Sequence, residues 1–270
     1  MVGTPIGNLE DITIRALKVL ENVQLIAAED TRTTKKLLSR YKIDTPVTSF
    51  HEHTKLKKSN LLIEQLMEKD IALVSDAGMP TVSDPGQELI FKAIQKGISV
   101  IPIPGPSAVL TALVVSGLLN DGFLFIGFLP RKGARRKDIL VHILKEEKSI
   151  IIFEAPHRLL KTLNDLNNLF GNRKIAICRE MTKIHEEIFR GSLTDAIDHF
   201  VKPRGEFTLV IDGYKNYEIE EFYEESNLIK LAKIFRVNKY SSKEAIPLLL
   251  QFIPVSRKKA YDAWIKSKNV

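Results

Sequence analysis

Four loops concentrate residue types that could hold a small ligand: Gly3-Thr4-Pro5-Ile6-Gly7-Asn8, Glu29-Asp30-Thr31-Arg32, the stretch SDAGMPTVSDPG at 75–86, and Pro102-Ile103-Pro104-Gly105-Pro106-Ser107-Ala108. Gly and Pro let a fixed backbone approach a flat molecule closely, while Asp and Ser supply acceptors for hydroxyl and amino groups. None carries G-x-G-x-x-G or G-x-x-x-x-G-K-[ST], so a dinucleotide or P-loop phosphate clamp is not expected. A flat cofactor without a phosphate suits such a crevice; the bland alternative is that each loop is merely a turn.

Other stretches separate by the same test. Arg131, Lys132, Arg135, Arg136 and Lys137 place five cations within seven residues, which reads as a phosphate track or a solvated helix face. His157 and Arg158, and Arg179 in the run 179–183, follow later strands and read as ligand-facing groups or as helix caps. His185-Glu186-Glu187-Ile188-Phe189 opens like H-E-x-x-H but has Phe189 where the second histidine would be. His51-Glu52-His53 has no further ligands nearby in sequence, so no metal is expected.

Stepping to the elements that must carry these loops, short apolar runs at 23–28, 71–74 and 99–101 read as strands that end in the polar or Gly/Pro stretches. Helical spacing covers 12–21, capped by Asp11, and 60–69. This alternation predicts βαβ units on a mainly parallel sheet, whose ligands bind outside the carboxyl ends of the strands. A second alternation starts after the Asn120-Asp121-Gly122 turn, with strands at 123–126, 150–153, 174–177 and 207–211. The expected division is two α/β domains, 1–119 and 120–214. A third part, 215–270, comprises an acidic linker over 214–226 and three helices at 228–236, 242–252 and 256–266. Ser242 and Ser256 are the expected caps, and Ile253-Pro254-Val255 separates the last two helices. That unit reads equally as a helix-turn-helix or as a small bundle with a charged face.

Composition narrows the class. The 270 residues are 44% hydrophobic and 27% charged, within the globular range. Residues 226–270 hold ten Lys and Arg against Glu244 and Asp262, so the net charge of +7 belongs to the C-terminal part. A basic segment of this kind is an electrostatic footprint for phosphate backbones. Cys178 is the single cysteine, which excludes an intramolecular disulfide and fits the cytoplasm. No apolar run is long enough to span a bilayer and no secretory leader is expected, so no membrane role is anticipated.

Six motifs in order, GTPIGNLEDIT (3–13), AAEDTR (27–32), SDAGMPTVSDPG (75–86), PGPSA (104–108), GFLPRKG (127–133) and FEAPHR (153–158), resemble the ribosomal RNA small-subunit methyltransferase I family of the tetrapyrrole-methylase-like superfamily. The resemblance implies two α/β domains of the tetrapyrrole-methylase type with S-adenosylmethionine in the cleft between them, and a homodimer. It implies 2′-O-methylation of a cytidine ribose in small-subunit ribosomal RNA, free or in the assembled subunit, and a small C-terminal helix-turn-helix-like domain. Carried over by motif, the cofactor contacts are Pro5, Ile6 and Gly7; Asp76, Ala77, Gly78 and Met79; Ser83 and Asp84; and Ser107 and Ala108. Only Met1 and Val2 precede the first motif, where the resemblance implies several residues of strand, so a truncated first strand is expected.

A hydroxyl nucleophile needs its proton removed, and Glu29 and Asp30, beside Arg32, are the carboxylates placed for a general base or for orienting the ribose. Capping of the following helix by Asp30 or Thr31, with Arg32 as ion-pair partner, competes equally. The RNA contacts expected are Arg131, Lys132, Arg135, Arg136, His157, Arg158, Arg179, Arg257, Lys258 and Lys259. The runner-up functions are methylation of a small tetrapyrrole-like molecule and non-catalytic RNA binding in assembly. The charge distribution yields a measurement: Arg257, Lys258 and Lys259→Ala together should weaken RNA affinity and reduce the slope of log affinity against log salt by about 0.7 to 0.9 per lost phosphate contact. An unchanged slope would make the basic segment a stability element.

Overall fold

The computed structural model describes all residues except 52–54, 120, 216–224, 238–239, 253–254 and 269–270, and the side chains of 55–57, 225–227 and 251–252. It forms two compact units, Met1–Tyr214 and Lys215–Val270. Asn120, most of the expected linker, Glu52 and His53, and the Ile253-Pro254 separator lie outside the described residues.

The larger unit begins with a parallel sheet of β1 (Leu25–Ala28), β2 (Val47–Ser49) and β3 (Ile71–Val74), in the order β2-β1-β3. Helices cover both of its faces. On one, Ala16 and Leu20 of α1 (Ile14–Asn22) and Leu37 and Leu38 of α2 (Thr31–Arg40) meet Ile26, Ala28, Ala72 and Val74. On the other, Leu62 and Ile63 of α3 (Lys55–Gln65) and Leu89 and Ala93 of α4 (Gln87–Gln95) meet Ala27 and Leu73. Burial on both faces is why the strands are apolar without alternation.

Several local expectations shift. Thr13, not Asp11, caps α1 by accepting from the Ala16 N–H at 3.1 Å, because Asp11 closes a 3₁₀ turn, Leu9–Asp11. The helix expected at 60–69 starts and ends earlier, as α3. Residues 99–101 form no ladder of their own. Pro102 and Pro104 lack the N–H groups that a strand needs, and only Ile103 bridges to Val2, in parallel. Met1 to Gly3 nevertheless hydrogen-bond on both sides, Val2 N–H to Leu73 O at 2.9 Å and Gly3 N–H to Ile103 O at 3.1 Å. The short first strand therefore links β3 to the 101–103 segment, with Val2 fully buried.

The second sheet has the order β4-β5-β8-β6-β7, from β4 (Phe123–Phe128), β5 (Ser149–Glu154), β6 (Lys174–Arg179), β7 (Glu187–Ser192) and β8 (Phe207–Ile211). Only β4 and β5 run parallel; β8 is antiparallel to both β5 and β6, and β7 to β6. One face packs on α6 (Ala134–His142), α7 (Pro156–Phe170) and α8 (Leu193–His199). The other receives α5 (Ala108–Ser116), whose Val109, Ala112 and Leu113 pack on Ile151, Ala176 and Val210. A helix expected to close the first domain thus serves the second sheet, because nearly all its positions are apolar and it can bury a face there.

The smaller unit packs α9 (Glu225–Val237), α10 (Ser242–Phe252) and α11 (Arg257–Lys266) around Ala232, Ala245, Leu249, Ala260 and Trp264. Ser256 caps α11 through the Lys259 N–H. At the start of α10 it is Ser241, through N–H and hydroxyl, that bonds Glu244. Arg236 stacks over Trp264 with 4.2 Å to the ring centroid and donates to Trp264 O and Ser267 Oγ, so this cation is spent inside the unit.

Two backbones meet where the first sheet's loops converge: a Cβ on Gly105 would lie 2.9 Å from Gly3 Cα, C and O. Backbone cannot move aside as a side-chain tip can, so Gly105→Ala should destabilise the larger unit by about 1 to 3 kcal/mol, measured as a shift of urea midpoint. A wild-type midpoint would show that the loops have slack.

Candidate active-site cleft

The loops after β1, β3 and the 101–103 segment face the ends of β4, β5, β6 and β8 across a cleft of about 500 Å³. The arrangement follows the rule that α/β sheets bind ligands beyond the carboxyl ends of their strands. Ile6, Asp76, Ala77, Gly78, Met79, Ser83, Asp84, Ser107 and Ala108 all line it. Pro5 and Gly7 instead line an adjoining pocket of about 330 Å³ that shares Ile6, Asp76, Ala77 and Glu206 with the cleft. From the second sheet come Glu154, an alternative candidate base in the sequence, and residues not singled out there, among them Phe128, Phe153, Met181, Glu206 and Thr208. Their signal was the recurrence of strand ends at FEAPHR and after Cys178, but no spacing rule says which strand ends meet.

The 75–86 loop is held in unusual backbone. Gly78 has φ +80°, Thr81 +72°, Ser83 +69° and Gly86 +133°. A Cβ at Gly78 would meet Ile6 and Pro106 O only at ordinary contact distance, 3.5 Å, so the requirement there is conformational. Opposite, Gly127 sits at a β-bulge with φ +71°, and a Cβ would come 2.7 Å from Ser83 Oγ, so this loop rests directly on β4. Ser107 caps α5 by accepting from the Leu110 N–H.

Glu29 and Asp30 part company. Asp30 caps α2, accepting from the Arg32 N–H at 2.8 Å and pairing with the Arg32 guanidinium at 2.8 Å, and these bonds hold its carboxyl at about 2. Arg32 points outward, its side chain 87% exposed. Glu29 turns into the cleft, where burial raises its carboxyl above the ordinary range, Asp84's charge adds to the rise, and the Asp76 N–H opposes it. Asp76 Oδ1 accepts from the Asp30 N–H at 2.9 Å, while the Asp76 N–H donates to Glu29 Oε2 at 3.3 Å. Burial pushes Asp84 up to about 6, the charge of Asp76 reinforcing it and the Ser75 hydroxyl opposing it.

The expected RNA contacts divide as well. Arg131, Lys132, Arg135, His157, Arg257, Lys258 and Lys259 are exposed. Arg136 is 5% exposed, bonded to Asp165, Thr162 and Pro130 O, and joins α6 to α7. Arg158 pairs with buried Glu154 at 3.1 Å, and Arg179 is held by Glu187 and by Arg204 O. All three guanidiniums thus already bond protein acceptors near strand ends.

A scan against family models matches residues 1–197 to the Tetrapyrrole (Corrin/Porphyrin) Methylases. Among curated relatives, the Ribosomal RNA small subunit methyltransferase I of Halalkalibacterium halodurans is 48% identical over 91% of this chain and 87% of its own length. The enzyme of the same name from Bacillus subtilis is 44% identical over 98% and 92%. That from Thermotoga maritima is 51% identical over 79% and 97%. Of solved structures, diphthine synthase superposes with a TM-score of 0.64 at 15% identity, over 78% of this chain and 88% of that one. Cobalt precorrin-4 methyltransferase gives 0.59 at 17% identity, over 78% and 92%. The fold is therefore that of the tetrapyrrole methylases, and the chain belongs to the ribosomal RNA small subunit methyltransferase I family within them. It is an S-adenosylmethionine-dependent methyltransferase.

The cleft fits that cofactor. Its described lining contains Glu29, Asp76, Asp84, Glu154 and Glu206 but no Lys, Arg or His, anionic acceptors that suit a sulfonium and an ammonium rather than phosphates. Phe128, Phe153, Val109 and Met181 offer an apolar wall for a purine ring. Asp84 makes the fit testable. Its carboxylate is charged above about pH 6 and neutral below, so affinity for the cationic cofactor should fall as pH drops from 7 to 5. Affinity for S-adenosylhomocysteine, which lacks the sulfonium charge, should fall less. Unfolded, the group ionises near its ordinary 3.8, so the folded chain holds an extra proton between that value and about 6 and loses stability as pH rises through the window. Asp84→Asn should therefore flatten the pH dependence of cofactor affinity by calorimetry and raise the melting temperature at pH 8. A steep dependence surviving in Asp84→Asn would shift the role to another carboxylate.

Proposed function

We propose that this chain methylates the ribose 2′-hydroxyl of a cytidine in small-subunit ribosomal RNA, working in the cytoplasm as a homodimer. The curated relatives at 44–51% identity carry the ribosomal RNA name along most of their length, which favours this over a small tetrapyrrole-like substrate or a non-catalytic assembly role. The observation that carries the chemistry is the fate of the two neighbouring carboxylates. Asp30 is committed to a helix cap and a guanidinium, whereas Glu29 faces the cleft with a raised pKa and is oriented by the Asp76 N–H.

When bound, S-adenosylmethionine supplies an electrophilic methyl group. Ile6, the 76–79 turn, Ser83, Asp84, Ser107 and Ala108 hold it, and alignment of the hydroxyl with the methyl–sulfur axis contributes much of the rate. Glu29 accepts the proton that leaves O2′. A carboxylate above its ordinary pKa is a stronger base than Asp30 at about 2. Arg131, Lys132 and Arg135, following β4 whose Phe128 lines the cleft, guide the RNA backbone, and exposed Arg257, Lys258 and Lys259 add affinity from the smaller unit. Leu110 and Val114, 53% and 74% exposed one turn apart on α5, support a contact with a second copy.

Glu29→Gln keeps the shape and loses the base, so single-turnover methylation of small ribosomal subunits should slow by about 10² to 10⁴ with cofactor affinity near wild type. Asp30→Asn should instead lower the melting temperature, by the about 0.5 to 2 kcal/mol of a lost cap, with turnover largely kept. The reverse pattern would assign the base to Asp30.

A further inference from the structure

The pocket beside the cleft has a polar end whose ammonium, that of Lys183, lies outside the cofactor cleft. One wall is the turn Pro5-Ile6-Gly7 with Leu37 of α2, and the other carries Lys183 and Glu206. Lys183 Nζ lies 2.8 Å from Glu206 Oε2 and 3.0 Å from Glu180 Oε1. Asp76 lines both this pocket and the cleft, and its N–H is the one that bonds Glu29, so the proposed base stands at the seam between the two.

The Lys183 wall is built under constraint. Glu180 and Thr182 adopt φ +48° and +66°, sparsely populated conformations that persist where the surroundings enforce them. Enforcement comes from both lobes: Asn8 N–H donates to Thr182 Oγ1 at 2.9 Å, and Thr182 N–H donates to Glu186 at 2.6 Å. A Cβ on Gly7 would come 2.6 Å from both Lys183 Cγ and Thr182 Oγ1, so the Lys183 stem is laid on the Gly7 backbone. The Glu206 side chain is 79% exposed and its carboxylate can turn, whereas the ammonium stays clamped.

A pocket walled by Pro5, Ile6 and Leu37 beside Thr33 and Thr34, with an adjacent cation and carboxylate at one end, matches the edge of a flat base. Cytosine presents an N4 amino donor next to the N3 and O2 acceptors; a carboxylate accepts from N4, and an ammonium donates to N3 or O2. Held in the same orientation by its glycosidic bond, uracil places an acceptor, O4, where cytosine has its donor, and a donor, N3–H, toward the ammonium, so both contacts would be opposed. A base read this way must leave its stack, as bases do in enzymes that act on single nucleotides.

We infer that this second pocket receives the target base and that the Lys183–Glu206 pair selects cytosine over uracil, an inference that rests on the cytidine-ribose reading above. The test uses small ribosomal subunits, with the target position first mapped by mass spectrometry of the wild-type product and then carrying either cytidine or uridine. Single-turnover rates give a cytidine-to-uridine ratio for each protein, and because both substrates meet the same preparation, a misfolded fraction cancels. Lys183→Met and Glu206→Gln should each lower that ratio roughly 10- to 100-fold. Lys183→Met, which lies outside the cleft lining, should leave S-adenosylmethionine affinity unchanged by calorimetry. Ratios equal to wild type in both variants, with the methyl still on the cytidine O2′, would overturn the pocket assignment alone. A wild-type product methylated on a base atom or on another nucleotide would remove the cytidine-ribose reading and this inference together.

Discussion

The exchange of hydrogen bonds between the ends of β1 and β3 is the constraint on which the site depends. Asp76 gives its carboxylate to the Asp30 N–H and its own N–H to Glu29, so each loop fixes the other's backbone and carboxylate. With Asp30 committed to the α2 cap, Glu29 is the one of these two neighbours that faces the cleft. Reciprocal bonds of this kind position a base without using a flexible side chain to do it, which is what alignment of a hydroxyl with a methyl group demands.

Charge is sorted by place. The cofactor cleft is acidic through the side chains described in its lining, and burial among them keeps Glu29 and Asp84 partly reluctant to ionise. No cation is among the described cleft lining, whereas Arg131, Lys132 and Arg135 after β4 and the start of α11 are exposed. Such separation lets a cationic cofactor and a polyanionic substrate be bound by one chain without competing for the same groups.

The two sheets are joined by close approaches rather than by a broad apolar seam alone. Ser83 rests on the Gly127 bulge, and the Gly7 backbone underlies Lys183. Glycine is required at these points because a Cβ would collide, and at Gly127 also because φ is positive. The helix α5 adds a covalent strap, leaving the first set of loops and packing on β6 and β8 of the other sheet.

Much of this was legible in the amino-acid order. Period and punctuation placed β1, β3, β4, β5, β6, β8 and the three C-terminal helices, since apolar runs and caps are local properties, whereas the less apolar β2 and β7 were not read from the sequence. The cofactor loops announced themselves by Gly, Pro, Asp and Ser at strand ends. Tertiary structure alone decided what depends on partners distant in sequence. It joined Met1–Gly3 to the 101–103 segment, set β8 antiparallel between β5 and β6, and buried Arg136 against Asp165 while leaving Arg135 exposed. It also separated Glu29 from Asp30: burial in the cleft, the charge of Asp84 and the Asp76 N–H act on Glu29 through the fold, whereas Asp30 is held by Arg32, a partner two residues away that the sequence already offered.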